Sequence, residues 1–316
     1  MMQKVALLIS DNLLPTAENA RPDRFELIEQ AGKLTPALAA LDLELVEVRW
    51  REIAERAGEF AAILPLMVWD YFEGNEEAFL TAIAKAEAVT PVFNGFDILK
   101  WNSDKAYLDE LEARGAPVIP TLAVEHVTET NIARAFTELE TDTLVIKPRI
   151  GGGAWRQVLY KQGDPFPAAD ALPPEGALVQ AFLPSVKDEG EYSFLFFNGR
   201  YSHGVLKTPK AGDYRIQSSY GGAEETYIPS KSEIDSARDI LDVLDFTPLY
   251  ARIDLLRGLD GTLKLIELEL IEPYLYFPHA PGEGGDNEGA KKLAAALKKR
   301  IEATQSETAQ FQTPNG

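Results

Sequence analysis

The feature that most limits how this chain can fold is a change of periodicity near residue 100. Over the first hundred residues, β-like and helical stretches alternate. "KVALLIS", "LELVEVRW", "FAAILPLMVW" and "PVFN" are short apolar runs, and between them "RFELIEQAGKLTPALAAL" and "NEEAFLTAIAKAEAV" carry apolar residues at helical spacing. Asn75 followed by two acidic residues predicts the start of the second helix. A strand–helix–strand crossover brings the next strand in parallel to the last, so this alternation predicts a parallel sheet covered by helices.

Beyond Trp101 hairpin signals take over. A helix over "SDKAYLDELEARG" stops at Gly115, "PVIPTLAV" and a helix near 128–140 follow, and the strands "TLVIKP" and "QVLYKQ" flank a glycine loop before "ALVQAFL". "EYSFLFF" and "RYSHGVLK" are joined by Asn198-Gly199, a polar loop covers 209–225, and a helix near 231–244 precedes a second hairpin over 251–270. The last helix, "AKKLAAALKKRIEA", leads into a polar tail predicted to be disordered. The fold class is therefore α/β at the start and α+β afterwards. The divisions fall at 1–100, 101–185, 186–303 and a tail at 304–316, and 316 residues exceed what one core normally serves.

The formal net charge of -19 argues against a nucleic-acid partner, which would need a basic footprint. The absence of cysteine excludes disulfides, thiolate metal sites and a cysteine nucleophile. "MMQKVALLIS" lacks the basic region of a signal peptide and reads as a first strand. The longest apolar run, "FAAILPLMVW", is too short to span a bilayer and contains Pro65. The expectation is a cytoplasmic protein with no membrane partner, with homo-oligomerisation left open.

The hairpin "ARIDLLRGLDGTLKLIELEL" raises the first chemical question. If Leu259 pairs with Thr262 across Asp260-Gly261, then Asp254 lies opposite Glu267 and Arg252 opposite Glu269, all on one face. Ile253, Leu255, Ile266 and Leu268 then share the other face. Like charges directly opposed across a sheet are destabilising. At about 4 Å and an effective dielectric near 20 they cost on the order of 4 kcal/mol. One resolution is a solvated outer face with Arg252 as counter-ion. The other is a divalent cation: Mg²⁺ takes oxygen ligands, commonly one or two carboxylates plus substrate phosphates. Asp254, Glu267 and Glu269 suit that role, with Arg252 facing a transferred phosphoryl group.

"LVIKPRIGGGAWRQVLY" offers the phosphate side of such a site. Gly151, Gly152 and Gly153 allow backbone N–H groups close to a phosphate, although an ordinary flexible hairpin has the same composition. Neither a P-loop nor a GxGxxG motif is present. Lys147 lies in an apolar strand, where an unpartnered lysine is costly. Lys105 in "WNSDKAYL" carries a weaker signal.

The order "WNSDK", "VIKP" with its glycine loop, "VQAFLP", "GEYSFLFFNG", "AGDYR" with "GG", and "RID" with "IELELIEP" resembles the ATP-grasp superfamily. It is most similar to the bacterial glutathione synthetase type and to the cycloserine-forming ATP-grasp ligases. The resemblance covers roughly residues 100–290 and extends weakly into "VWDYFEG". It implies a pre-ATP-grasp α/β domain followed by a two-lobed ATP-grasp domain with antiparallel sheets. It further implies an ADP-forming ligase that phosphorylates a small carboxylate with ATP and Mg²⁺ and joins it to an amine. Lys105, Lys147 and the loop at Gly151–Gly153 would then meet the ATP phosphates. Gln180 and the backbone of Ala181 and Leu183 would meet adenine, and Glu191 the ribose side. Asp254, Glu267 and Glu269 would hold Mg²⁺. Arg215, Arg252 and Lys147 would serve the transferred phosphate, with Arg215 and Gly221-Gly222 beside the activated substrate. The chain departs from the pattern in its "GGGAW" loop, where a longer glycine–serine run is usual, and at Glu269, where Asn is usual. Intramolecular ring closure and nucleotide binding without turnover are the competing readings.

Other residues say less. His126, His203 and His279 lack metal-ligand spacing. His203 would face Phe194 across the Asn198-Gly199 turn, as a core or rim residue. Trp69-Asp70-Tyr71 ends a strand where ligands often bind in α/β sheets, and equally reads as packed aromatics with a helix cap. Loops 11–24, 70–75 and 209–225 are the expected specificity elements.

Overall fold

The computed structural model describes residues 2–216 and 220–312, and they build three sheets. The first is parallel, in the order β2-β1-β3, from β1 (Gln3–Ile9), β2 (Leu43–Arg49) and β3 (Ala62–Met67). β1 is apolar on both faces, as a strand buried on both sides must be. Val5, Leu7 and Ile9 pack with Leu27, Leu34 and Leu38 of α1 (Phe25–Ala39), whereas Ala6 and Leu8 pack with Phe79, Ile83 and Ala86 of α3 (Glu76–Glu87). A one-turn helix, α2 (Ile53–Arg56), lies between β2 and β3. "PVFN" adds one parallel bridge, Val92 to Ile63, rather than a full strand. Asn75 precedes α3 as expected, but its side chain makes no cap bond to the helix; its Nδ2 donates to the Asp70 carbonyl instead.

The helix expected over "SDKAYLDELEARG" is two helices, α4 (Phe96–Ser103) and α5 (Tyr107–Ala113). The break at 104–106 has a clear cause. The Asp104 carboxylate accepts a fork from Arg149 and a bond from the Ala106 N–H, and Lys105 turns inward. The second sheet is antiparallel, in the order β4-β7-β5-β6, from β4 (Thr121–Val124), β5 (Thr143–Pro148), β6 (Val158–Lys161) and β7 (Ala177–Ala181). It is backed by α6 (Glu129–Glu138), whose N-terminus Thr128 caps.

The third sheet follows the short α7 (Ser185–Asp188). It holds β8 (Glu191–Phe197), β9 (Arg200–Thr208), β10 (Ala223–Tyr227), β11 (Tyr250–Arg257) and β12 (Leu263–Glu269), in the order β10-β9-β8-β11-β12. β10 begins inside the stretch expected to be loop, 209–225, and runs two residues beyond it. Its sequence, AEETY, is polar because it is an exposed edge strand. α8 (Lys231–Asp242) covers the apolar face through Ala237, Ile240 and Leu241, against Phe194, Phe196, Ile253 and Leu255. α9 (Glu288–Gln312) packs Leu293, Leu297 and Ile301 against the α1 side of the first sheet. Residues 304–312, expected to be disordered, continue this helix. No Gly or Pro interrupts them, and the Thr304 and Ser306 hydroxyls bond back to the carbonyls four residues earlier. Residues 313–316 lie outside the described part.

Both hairpins depart from the simplest register. Asn198 and Gly199 form the expected two-residue turn, with φ of 49° and 72°, and Phe197 faces Arg200. A bulge between Leu195 and Phe196 then places His203 opposite Leu195, not Phe194. In the second hairpin Arg257 faces Leu263 across a five-residue turn, closed by Gly258 N–H to Thr262 O at 2.8 Å.

Candidate functional site

The face shared by β11 and β12 carries the expected constellation. Asp254 lies opposite Glu267, and Arg252 opposite Glu269. The longer turn moves the register by one residue, and a bulge between Asp254 and Leu255 moves it back before the charged residues are reached. Ile266 occupies the bulge. It packs with Leu256 on the pocket side rather than joining Ile253, Leu255 and Leu268.

Each opposed carboxylate has its own cation. The Arg252 guanidinium donates to Asp254 from Nε at 3.0 Å and from Nη2 at 2.9 Å, and its Nη2 also reaches Glu269. Asp254 further accepts from the Ser193 hydroxyl and lies 3.4 Å from Lys207 Nζ. Lys207 donates to Glu191 at 2.6 Å. Glu267 is 3.1 Å from Lys105 Nζ, which also donates to the Gly151 carbonyl. Burial works against every one of these charges, and the partners decide the outcome. Against that burial, Arg252 and Lys207 bring Asp254 down to about 2, and Lys105 with Lys147 keeps Glu267 below its usual range. At Glu269 burial prevails over Arg252 and pushes the carboxyl up to about 7, and burial raises Glu272 well above its usual range. Burial also lowers Lys147, whose Nζ donates to the Ile266 carbonyl at 3.3 Å, to about 8.

On one side of this face is a pocket lined by Lys147, Gln180, Ala181, Leu183, Glu191 and Glu267, with apolar walls from Ile119, Val186 and Leu256. Sequence reasoning placed these polar residues at one nucleotide, and the fold brings them together. The Gln180 amide donates to Thr121 Oγ1 at 3.0 Å, and one Glu191 oxygen is held by Lys207. Arg215, expected beside the activated substrate, lines this pocket instead. Its fork to Asp213 and its stacking 3.8 Å from the Tyr220 ring centroid hold it there. Gly221, expected beside it, is exposed at φ 84°.

On the other side is a cleft of about 400 Å³ between the first and third sheets. The third sheet contributes Glu224, Arg252 and Glu269, and the segment after β12 adds Glu272, Tyr274 and Tyr276. Gly152 and Gly153 overhang the cleft, and Arg21, Asp23, Glu26, Trp69 and Phe72 face them from the N-terminal layer. Trp69-Asp70-Tyr71 divides its work. Trp69 faces the cleft and donates to the Glu272 carbonyl at 3.0 Å, Asp70 accepts from Trp50 Nε1 at 2.6 Å, and Tyr71 is core. His203 is a core histidine, with Nε2 2.8 Å from the Leu275 carbonyl and a pKa lowered by burial to about 4. Each of the three expected specificity loops sends residues to the cleft or its neighbouring pocket.

Sequence reasoning missed Lys207, Glu272 and Phe72. Lys207 had a readable signal, since it is a lone lysine in the apolar strand "HGVLK", as Lys147 is in "LVIK". The donor set is all hard oxygen, which suits Mg²⁺. Glu267 keeps 29% of its side chain exposed and lines the pocket, and Glu269 keeps 24% exposed and lines the cleft, whereas Asp254 is committed to Arg252, Lys207 and Ser193. Among the described residues, no three acidic or histidine side chains are gathered into a ready-made metal site. The expected trio is therefore present on one face, with Asp254 and Glu269 bridged by Arg252 and Glu267 held by Lys105. No helix among the described residues is long and apolar enough to cross a membrane.

The chain is similar to several known proteins. Residues 5–94 match the N-terminal domain of D-cycloserine synthetase DcsG. The cycloserine biosynthesis protein DcsG of Streptomyces lavendulae is 27% identical over 268 residues, 80% of this chain and 87% of that protein. A glutathione synthetase of Prochlorococcus marinus (strain MIT 9313) is 31% identical over 148 residues, 44% of this chain and 46% of that protein. The crystal structure of D-cycloserine synthetase DcsG superposes with a TM-score of 0.78 at 24% identity, covering 94% of this chain and 99% of that one. The ATP-grasp ligase PsnB, complexed with minimal precursor, Mg and ADP, superposes with a TM-score of 0.61 at 15% identity, covering 94% and 98%.

Proposed function

From the premise that this chain has the fold of the ATP-grasp ligases, we propose that it is an ATP- and Mg²⁺-dependent, ADP-forming ligase that joins a small carboxylate to an amine. The observation that carries the reading is Lys105. Its ammonium bonds both the glycine loop at Gly151 and Glu267, so the phosphate-side and metal-side groups meet at one point between pocket and cleft. Gln180, Ala181 and Leu183 hold the adenine, and Glu191 lies on the ribose side. Lys105, Lys147 and the loop hold the phosphates. Glu267 and Glu269, with Asp254 behind them, hold Mg²⁺, which supplies charge neutralisation at the phosphates. Arg252 presents its guanidinium to the cleft, where charge develops on the phosphoryl group during transfer.

The balance of the reaction is simple. A substrate carboxylate oxygen attacks the γ-phosphorus and breaks its bond to ADP. The amine then attacks the acyl carbon, releasing phosphate and a proton. An intramolecular version has one specific observation in its favour, the similarity to DcsG over 80% of the chain, N-terminal domain included. The substrates are small and polar, and the setting that suits the reaction is the cytoplasm.

The test is Mg²⁺-dependent phosphate release from ATP with a panel of amino acids, singly and in pairs, with hydroxylamine added to trap the acyl phosphate. A hydroxamate with one carboxylate supports the ligase. Phosphate release with a single substrate and no added amine, giving a dehydrated product, supports ring closure. No release under any combination refutes both and leaves nucleotide binding without turnover.

A further inference from the structure

We propose that Phe72, on the N-terminal layer, is the seat on which the glycine loop closes, and that this contact keeps water from the acyl phosphate. The inference rests on the ligase reading for its chemistry and on the loop's packing for its geometry.

The loop between β5 and β6 is fixed at both roots. The Lys105 N–H donates to the Arg149 carbonyl at 3.0 Å, Lys105 Nζ holds the Gly151 carbonyl, and Arg156 Nη1 donates to the Leu172 carbonyl at 2.8 Å. Between the roots the chain is wound tightly. Ala154 and Arg156 have φ of 58° and 49°, a left-handed conformation that residues other than glycine adopt only under constraint. The tip needs support from outside itself, and Phe72 supplies it. A Cβ placed on Gly152 would lie 3.0 Å from Phe72 Cε1 and 3.2 Å from Cζ. Gly152 is not among the residues at positive φ, so it is the ring, not the backbone, that crowds a side chain there, and an added Cβ would push ring and loop apart by a few tenths of an ångström. Phe72 is itself anchored, edge-on to Tyr71 at 5.3 Å, and Tyr71 packs on Phe79 of α3 at 5.6 Å.

The position of the contact gives it a consequence. Phe72 borders the reacting cleft on one side and, on the other, an outer groove of about 520 Å³ lined by Pro148, Arg149, Ile150 and Trp155. The ring and the loop tip together form the partition between the two. An acyl phosphate reached by water is lost as carboxylate and phosphate, so a sealed partition keeps ATP use coupled to product. Phe72 touches no reacting atom and is a positioning residue.

The experiment is a cycle of Phe72→Ala, Gly152→Ala and the double variant, with Phe72→Leu as the conservative control. The first readout is phosphate released per product formed. Removing the ring in Phe72→Ala opens the partition and is expected to raise that ratio several-fold, and Gly152→Ala, which shifts the contact by only a few tenths of an ångström, is expected to raise it less. Phe72→Leu should stay near wild type. In the double variant the added Cβ no longer meets a ring, so it should be no worse than Phe72→Ala alone. Wild-type coupling in Phe72→Ala, or full additivity in the double variant, overturns the proposal. The second readout is acrylamide quenching of Trp155, which is half-exposed in the same loop, isolated by difference from Trp155→Phe. It needs no turnover. Were the wild type to use no ATP, the ligase reading would fail, and quenching would still decide the contact: increased in both single variants if the seat exists, unchanged if it does not.

Discussion

Replacing Lys207 by Met should destabilise the protein by about 3–5 kcal/mol, the usual consequence of removing one partner from a buried ion pair. Lys207 is only 2% exposed, and Met keeps most of its volume, so the loss is one of charge rather than of packing. Its ammonium lies 2.6 Å from Glu191 and 3.4 Å from Asp254. Asp254 would keep Arg252 and Ser193, but Glu191 has no other ion pair within 4 Å among the described residues, only the longer-range attraction of Arg252 and Lys147. The direct attraction at that distance is about 6 kcal/mol at an effective dielectric near 20, an upper bound before desolvation of the ammonium is returned. For a chain of this size each kcal/mol is worth roughly 2–4 °C, so the melting temperature should fall by about 10 °C. The loss should hardly respond to salt, because the pair is buried.

It should respond to pH with a defined sign. Glu191 already sits above its usual range through burial, and without Lys207 it rises further. A carboxyl raised in the folded state stabilises while protonated and loses that contribution as pH rises through its folded pKa. The defect should therefore shrink between pH 7.5 and pH 5. Adding Glu191→Gln to Lys207→Met removes the stranded charge and should recover most of the loss. Thermal and urea denaturation of the four proteins at both pH values measure the cycle. A Lys207→Met protein within about 1 kcal/mol of wild type, or a double variant no better than the single, would refute the pairing argument.

Other substitutions separate structure from chemistry. ATP or ADP at 100 times its dissociation constant should stabilise the wild type by about 2.7 kcal/mol in melts with Mg²⁺; Glu267→Ala should abolish the Mg²⁺-dependent part, and its persistence would remove Glu267 from the metal site. Lys147, lowered by burial to about 8, costs the unliganded fold up to about 3 kcal/mol at pH 7, so Lys147→Met should raise the ligand-free melting temperature. The same change should weaken ATP binding in calorimetry roughly 10- to 100-fold through the lost charged contact, and unchanged affinity would contradict the phosphate role. His203 has a folded pKa of about 4 against 6.5 unfolded, so the unfolded chain binds the extra proton and stability falls by about 3 kcal/mol as pH drops from 6.5 to 4. His203→Gln should flatten that part of the stability profile, and an unaltered profile would place the titration elsewhere.

The site residues were legible in the sequence to different depths, for reasons that lie in their separation along the chain. Which face Arg252, Asp254, Glu267 and Glu269 share is a local property, set by a strand's two-residue period. It survived two errors, because the five-residue turn and the bulge at Ile266 each shift the register by one and cancel before the charged positions. The partner of each carboxylate is not local. Lys207 reaches Asp254 and Glu191 only because the order β9-β8-β11-β12 sets those strands side by side. Lys105 reaches Glu267 only because the expected helix breaks at 104–106, and Asp104 could cause that break only with Arg149 opposite it. Arg215 is held by neighbours close in the sequence, Asp213 and Tyr220, on the pocket side of the face in the ligand-free fold. The opposed carboxylates therefore do not by themselves call for a metal. Their repulsion is offset by Arg252, Lys207 and Lys105 in the ligand-free fold. What favours Mg²⁺ is that the Glu267 and Glu269 side chains stay partly exposed beside the Lys147 pocket and the cleft. Because Glu269 is held by Arg252 and its carboxyl sits near 7, the extra charge at the position where Asn is usual is balanced within the protein. That makes Arg252, facing the cleft with a fork on Asp254 and a single bond from the same Nη2 to Glu269, the residue through which a second metal charge or a substrate phosphate would be felt by both strands at once.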